Sequence, residues 1–304
     1  MGGMFVGCQV FNQNIDSWDV SSVTNMSFMF YQCVNFDQPL NSWDVSNVTS
    51  MQAMFNYCYP FNQPLNSWVV SGVTNMSYMF NNCTLFDQPL NSWVVSGVTN
   101  MNSMFNGCTN FDQNIDSWDV SLVVNMQFMF RSCTNFDQPL NSWTPLIVTN
   151  MSSMFDKCTN FDQDISSWNV SSVGNMSTMF RDCINFNQPL NSWVVSGVIN
   201  MSNMFQGCTL FDQPLNSWDV SSVYNMGSMF KDCINFNQDI STWCVSSVLL
   251  SFYMTLMFQG CAVFNQDLST WSVLNIPSLP IGFDGGATLW SLPRPIWGTI
   301  GIPC

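Results

Sequence analysis

Leu65-Asn66-Ser67-Trp68-Val69-Val70-Ser71-Gly72-Val73-Thr74-Asn75-Met76-Ser77-Tyr78-Met79-Phe80-Asn81-Asn82-Cys83-Thr84-Leu85-Phe86-Asp87-Gln88-Pro89 is a 25-residue stretch in which two periodicities meet. Trp68 and Val70 alternate with polar or outward positions, the period of a short strand. Met76, Met79, Phe80 and Cys83 fall at i, i+3, i+4 and i+7, which is one face of a helix. Thr74 or Asn75 stands where an N-cap belongs. Asn82, replaced by Gly107 and Gly207 in other units, stands where a helix C-terminus wants left-handed geometry. Pro89 then blocks further helix. The stretch predicts a strand, a helix of about two turns, and a Pro-containing return.

The same stretch recurs along the chain. Trp appears at 18, 43, 68, 93, 118, 143, 168, 193, 218 and 243, then at 271. Cys keeps the same step at Cys8, Cys33, Cys58, Cys83, Cys108, Cys133, Cys158, Cys183, Cys208 and Cys233, then at Cys261. One insertion of three residues between Trp243 and Cys261 explains both late steps. One unit cannot fold alone, because so short a helix is unstable in water and a lone strand has no partner. Stacking pairs strand with strand and buries Leu65, Trp68, Val70, Val73, Met76, Met79, Phe80, Cys83 and Phe86 against their equivalents. The predicted fold class is therefore an α/β solenoid. Strands stack about 4.8 Å apart and α-helices about 8–10 Å, so a true helical side bends the array and a flattened side leaves it straighter.

Composition narrows the function. Of 304 residues, 47% are hydrophobic and only 8% charged, against about 25% charged in an average soluble chain. The bases are Arg131, Lys157, Arg181, Lys231 and Arg294, every acid is Asp, and the net charge is -14. That balance argues against nucleic acid and against anionic membranes as partners. There is no His, so the commonest general base and metal ligand is missing. The first residues lack the basic and apolar regions of a signal peptide. No run of about 18 apolar residues predicts membrane insertion.

Leu-x-x-Trp-x-Val-x-x-Val looks like the Leu-x-x-Leu-x-Leu-x-x-Asn core of leucine-rich repeats, with Trp in the second Leu slot. The fuller pattern Trp-Asp-Val-Ser-x-Val-x-Asn-Met-x-x-Met-Phe-x-x-Cys-x-x-Phe-Asn-Gln resembles the repeat of the BspA-type leucine-rich repeat surface proteins. That repeat is abundant in mycoplasma surface lipoproteins and occurs in protists and large DNA viruses. The resemblance covers residues 1 to about 273. It implies a leucine-rich-repeat-like, right-handed coil of about eleven strand–short helix units over residues 1–276. It also implies a cell or virion surface location, and adhesion for some members. Cys stands where the mycoplasma repeats often carry a small residue.

Three places break the pattern. Met1 aligns with Met26, Met51 and Met76, so the chain starts in mid-repeat. Either the natural start lies upstream, or this end meets a partner; the first is the favoured expectation. Trp143-Thr144-Pro145-Leu146-Ile147-Val148 replaces the usual Trp-x-Val-Ser-x-Val, and Pro145 is expected to lose one ladder bond. Residues 277–304, rich in Pro and holding Trp290 and Trp297, leave the period and read as a C-terminal cap.

Candidate chemistry is sparse. The Cys ladder has no C-x-x-C pair and no His, which leaves buried free thiols or disulfides between coils, with free thiols the better reading. Cys244 and Cys304 lie off the ladder. Gln13, Gln38, Gln63, Gln88 and their equivalents follow Asp or Asn, and read as amides bonding between coils rather than as a calcium ladder. Sequons such as Asn25-Met26-Ser27 fall at the helix start and read as capping chemistry. The strand slot after each Trp faces outward and varies: Asp19, Asp44, Val69, Val94, Asp119, Thr144, Asn169, Val194, Asp219, Cys244 and Ser272. Its members Asp19, Asp44, Val69, Val94, Asp119, Asn169, Val194 and Asp219 form the candidate binding face. No catalytic residue, metal or cofactor is expected. The sequence points to a non-enzymatic protein that presents a surface to a protein or glycan. The alternative is a structural spacer that self-associates end to end through its first coil.

Overall fold

The apolar spacing is read by turns. In the computed structural model, which describes residues 1–301, Trp68 N–H donates to Leu65 O at 3.0 Å, Val73 to Val70 at 2.9 Å, Met79 to Met76 at 3.2 Å, Cys83 to Phe80 at 2.9 Å and Phe86 to Cys83 at 3.1 Å. Each bond closes a β-turn, which brings its first and fourth residues to one side. Those corner residues are the apolar ones, and none is more than 2% exposed. Two turns placed back to back give the spacing i, i+3, i+4, i+7, which is also the spacing of a helix face. Met76, Met79, Phe80 and Cys83 therefore sit on turns, and the expected helix does not form.

The backbone bonds that a helix would make go to the neighbouring coil instead. Met76, Tyr78, Phe80 and Asn82 donate to the carbonyls of Asn100, Asn102, Met104 and Asn106 at 3.1, 2.8, 2.9 and 2.7 Å. Tyr78 and Asn82 have φ of 59° and 60°, which no α-helix admits. Left-handed geometry was expected at Asn82, and it occurs there and at Gly107 and Gly207, but inside turns rather than at a helix end. Asn75 Oδ1 accepts the Ser77 N–H at 3.0 Å, so the expected cap is an Asx turn. Asn75 also forms isolated parallel bridges with Ser50 and Asn100. Among the described residues the one regular element is a 3₁₀ turn at Ser251–Met254, and Trp68–Val70 forms no strand. The wedge expected between narrow strands and wide helices thus has no α-helix to drive it.

The chain forms two units, Met1–Val148 and Thr149–Cys304. The boundary closes the Pro145 stretch. Val70, Val95 and Val120, which occupy the slot of Pro145 in earlier coils, donate no main-chain bond, so proline removes none there. What changes is the turn. Val73, Val98 and Val123 each donate to the residue three before, and Val148 does not.

Inside each unit the corner residues form stacks. In the first, Phe80 lies 5.7 Å from Phe105 and 4.2 Å from Phe86, nearly parallel, and Trp93 lies 6.4 Å from Trp118. In the second, Trp218 and Trp243 repeat the 6.4 Å spacing. Each indole also has a polar task. Trp93 Nε1 donates to Leu65 O at 3.0 Å, and that carbonyl already accepts Trp68 N–H from its own turn. Leucine in this slot has no donor for the second lone pair.

The insertion lies just after Val248. Met226 donates to Tyr253 O where Met201 donates to Asn225 O, so three extra residues enter beside the 3₁₀ turn. The tail carries the turn ladder further: Leu256, Phe258 and Gly260 donate to Ile281, Phe283 and Gly285. Trp290 then meets Phe264 edge-on at 4.7 Å, which ends the face-to-face stack. Cys304 lies outside the described residues.

Replacing Trp93 by Phe keeps an aromatic ring in the stack and removes the donor to Leu65 O. Urea denaturation of Trp93→Phe should show a loss of about 1–3 kcal/mol from the half-satisfied carbonyl and the smaller ring. An unchanged midpoint would remove the indole bond from this account.

Candidate functional site

The outward row after each Trp sits between two turns. In the first unit it holds Asp19, Asp44, Val69, Val94 and Asp119, and in the second Asn169, Val194 and Asp219. Val69, Val94 and Val194 are 56, 56 and 59% exposed. The Asp and Asn members each accept a backbone N–H from the serine two residues on, at 3.0–3.1 Å, through Oδ1. The row therefore alternates between side chains folded back on their own backbone and valines that stand free. A second feature goes with the valine. Val69, Val94 and Val194 are followed three residues later by Gly72, Gly97 and Gly197, whereas Asp19, Asp44 and Asp119 are followed by Ser22, Asn47 and Leu122. The sequence holds this pairing, and a slot-by-slot reading missed it. Val69 and Val94 share a shallow groove with Asn66, Ser67 and Ser92, and Asp119 shares another with Asn114, Asp116, Ser142 and Thr144.

The Asx turns hold the acids ionised. The Ser21 hydroxyl, at 2.7 Å, and then the Ser21 N–H push the Asp19 carboxyl below its usual range, and Asp44, Asp119 and Asp219 are lowered by the same kind of contact. A folded-state value below the unfolded one adds stability above the ordinary carboxylate range and loses it as pH falls through the lowered value. In an NMR titration, Ser21→Ala should move the Asp19 midpoint upward, and no movement would mean that the hydroxyl has no hold on it.

The Cys ladder repeats the device seen at Trp. Cys83 Sγ donates to Phe55 O at 3.0 Å, and the same carbonyl accepts Cys58 N–H at 2.9 Å. Cys33, Cys58, Cys108, Cys133, Cys183, Cys208, Cys233 and Cys261 make the equivalent bond to the Phe of the coil before. Cys158 is also buried and in no disulfide, and Cys8 is an exposed thiol. Burial pushes the Cys33 thiol up to about 11 and holds the deeper ladder thiols well above the ordinary thiol range. A thiolate is the reactive form, so the buried members are packing groups and donors at neutral pH. Maleimide added to the native protein at neutral pH should label Cys8 and leave Cys33 to Cys261 of the ladder untouched until urea is added. Mass spectrometry reads the difference, and native labelling of Cys83 or Cys108 would contradict the packing.

The Asp/Asn-Gln pairs are spacers between coils. Asn62 Oδ1 accepts Asp87 N–H at 2.9 Å and Gln88 Nε2 at 3.0 Å. Asp87 Oδ1 does the same for Asp112 N–H and Gln113 at 3.0 and 2.8 Å. One oxygen suffices, which is why Asp and Asn interchange there. Among the described residues no group of three or more Cys or Asp is placed to hold a metal ion. None of the described helices is long and apolar enough to cross a membrane.

Stacked turn coils of this kind define a repeat solenoid. The chain belongs to the family described as "Mycoplasma protein of unknown function, DUF285", whose model matches residues 1–114, 82–193, 142–224 and 175–287. No curated protein matches significantly. Among solved structures, a leucine rich cell surface protein from Faecalibacterium prausnitzii A2-165 is 13% identical, with 84% of this chain and 86% of that one covered and a TM-score of 0.36. An internalin from Listeria monocytogenes is 11% identical, with coverage of 81% and 80% and a TM-score of 0.25. A TLR13–ssRNA13 complex is 11% identical, with 89% of this chain covered and a TM-score of 0.28. The chain spans 48% of the length of that last chain.

Proposed function

We propose that this chain is a non-enzymatic interaction protein that presents the row Asp19, Asp44, Val69, Val94 and Asp119, and separately Asn169, Val194 and Asp219, to a protein or glycan partner. The observation that carries the reading is the contrast within that row. The corners around it repeat with fixed chemistry, while the exposed slot changes between a free valine and an acid locked in an Asx turn. A surface that binds needs such variation on a rigid frame, whereas a catalytic centre needs one set of groups that differs from all others. The reading includes the finer family assignment to BspA-type leucine-rich repeat proteins, a right-handed coil, display at a cell or virion surface, and residues 277–301 as the cap of the array.

The test is a solid-phase binding assay against a panel of extracellular matrix proteins and glycans, with the purified chain as probe. A double variant, Val69→Ser with Val94→Ser, and a second, Asp44→Ala with Asp119→Ala, are compared with the parent at matched thermal midpoints. Saturable binding that weakens at least ten-fold in one of the pairs supports the row. Binding that both pairs leave intact places the partner elsewhere and ends this assignment. Polymers that lengthen with concentration in light scattering would select the end-to-end spacer instead.

A further inference from the structure

No core position holds a tyrosine. All six, Tyr31, Tyr57, Tyr59, Tyr78, Tyr224 and Tyr253, lie outside the buried apolar set. Four of them fall on the turn-rich ribbon of three successive coils, residues 25–35, 50–60 and 75–85. Phe28 joins them. Its ring meets Tyr31 edge-on at 6.0 Å, Tyr31 meets Tyr57 at 6.2 Å, and Tyr57 meets Tyr59 at 6.1 Å. Phe28, Tyr59 and Tyr78 are 39, 43 and 38% exposed. This patch is on a different part of the coil from the row after Trp.

The rings are offered rather than stacked. In the row of Phe28 the neighbouring residues are Gly3 and Ala53, and in the row of Tyr78 they are Ala53 and Ser103, none of which has a ring to lay on them. A groove beside the patch is lined by Gly2, Gly3, Phe28, Tyr31, Ser50 and Gln52. Its side chains are neutral, and the Met1 ammonium donates to Asn25 O at its edge, at 3.2 Å. Asn106 donates to Asn81 and Asn81 to Asn56, both at 2.6 Å, in a neutral amide ladder whose members Asn56 and Asn81 are buried. The residue before Asn56 in that row is Tyr31. No charged side chain occurs in 25–35, 50–60 or 75–85, although the chain carries a net charge of -14. The corresponding stretches of the second unit hold Asp156, Lys157, Arg181, Asp182, Lys231 and Asp232.

Backbone geometry makes these rings replaceable. Phe28, Tyr57 and Tyr78 have φ of 59°, 64° and 59°. Bulky L side chains avoid that region, and glycine fills it without cost. The slot of Tyr57 holds Gly107 and Gly207 in other coils, and the slot of Phe28 and Tyr78 holds Gly3, so the fold accepts glycine in both. Ala53, Ser103, Ser153 and Thr178 have the same left-handed φ in the slot of Phe28 and Tyr78, so this geometry belongs to the coil, and glycine can replace a ring there without a steric penalty.

We infer that the linked rings Phe28–Tyr31–Tyr57–Tyr59, together with the exposed Tyr78 of the next coil, bind a neutral oligosaccharide. The ligand class follows from the chemistry. Sugar rings lay C–H faces on exposed aromatic rings and exchange hydrogen bonds with neutral amides and hydroxyls. The patch has no charged side chain, so it offers no carboxylate to a basic peptide, and a carboxylated or sulfated sugar would meet only the Met1 ammonium at the groove's edge against the net negative charge of the chain. The site stands apart from the row proposed above and does not depend on it.

The experiment uses the full chain with cello-, chito-, malto- and mannohexaose as probes, read by saturation-transfer NMR and calorimetry. At least one should bind saturably, with its transfer signal on the Tyr resonances. Tyr57→Gly with Tyr78→Gly should weaken it at least ten-fold while the thermal midpoint stays level or rises. Ser103→Gly, in the same slot without a ring, should leave binding unchanged, as should Val69→Ser with Val94→Ser. Absence of binding by all four sugars overturns the proposal, and so does binding that survives the double glycine variant. Tighter binding of heparin fragments, or of a proline-rich peptide, at the same resonances overturns it in favour of those ligands.

Discussion

A carbonyl with two donors holds each coil to the next. Leu65 O takes one N–H from its own turn, at Trp68, and one from the indole of Trp93 in the following coil. Phe55 O takes Cys58 N–H and the Cys83 thiol in the same way. Both lone pairs are then filled without water, at positions that are wholly buried. The arrangement needs a turn-corner residue with a side-chain donor and an otherwise apolar body. Trp and Cys meet that demand, and Leu or Met would not. Stacking order and hydrogen-bond order thereby become one constraint, and the register between coils cannot slip without orphaning a row of carbonyls.

That constraint also explains why a chain with few charged residues can be so regular. The coil has neither helix nor strand to propagate hydrogen bonds within itself. Its closing bonds are short turns, and the donors between them, such as Met76, Tyr78, Phe80 and Asn82, point along the stack. A single coil would leave those groups open. Cooperativity is therefore between neighbours, as expected of a one-dimensional array.

The repeat, its buried residues and its insertion were legible in the sequence because all of them are recorded by spacing. The local structure was not. Met76, Met79, Phe80 and Cys83 satisfy a helix face and a pair of turns equally well, and apolar periodicity does not separate the two. Composition held the discriminating hint. Gly107 and Gly207 sit in the interior of the predicted apolar period rather than past its end, and Tyr57 and Lys157 show that the slot is no glycine-only cap. The Asx residues were read correctly as local backbone acceptors, yet attached to the wrong element, since Asn75 and a helix N-cap make the same bond to the residue two ahead. The Asp/Asn-Gln ladder could be anticipated because its bond joins equivalent residues one repeat apart. The aromatic patch could not be seen by asking which slots repeat, since Tyr57, Tyr59 and Tyr78 occupy three different slots.

Turn geometry changes where variation belongs. A strand–helix coil has one outward strand slot and one helix back, and the row from Asp19 to Asp219 follows from that picture. A coil of turns sends its corners inward and most of its turn centres outward. Asn66 and Ser67, Ser71 and Gly72, Ser77 and Tyr78, Asn81 and Asn82, and Thr84 and Leu85 are the centres in one coil, each bounded by buried corners. Corners are fixed by the shared carbonyls and the ring stacks. Centres answer only to their φ and to the same centre one coil away. On the proposed binding role, specificity would be written in the exposed turn centres, without Ser77 and Asn81, which are buried. It accumulates along the stack by repetition, so the contact of one coil is weak alone and gains selectivity from its neighbours. On that role, a partner that spans several coils would read a row of centres, and changing one coil would shift the choice of partner without disturbing the corners beneath.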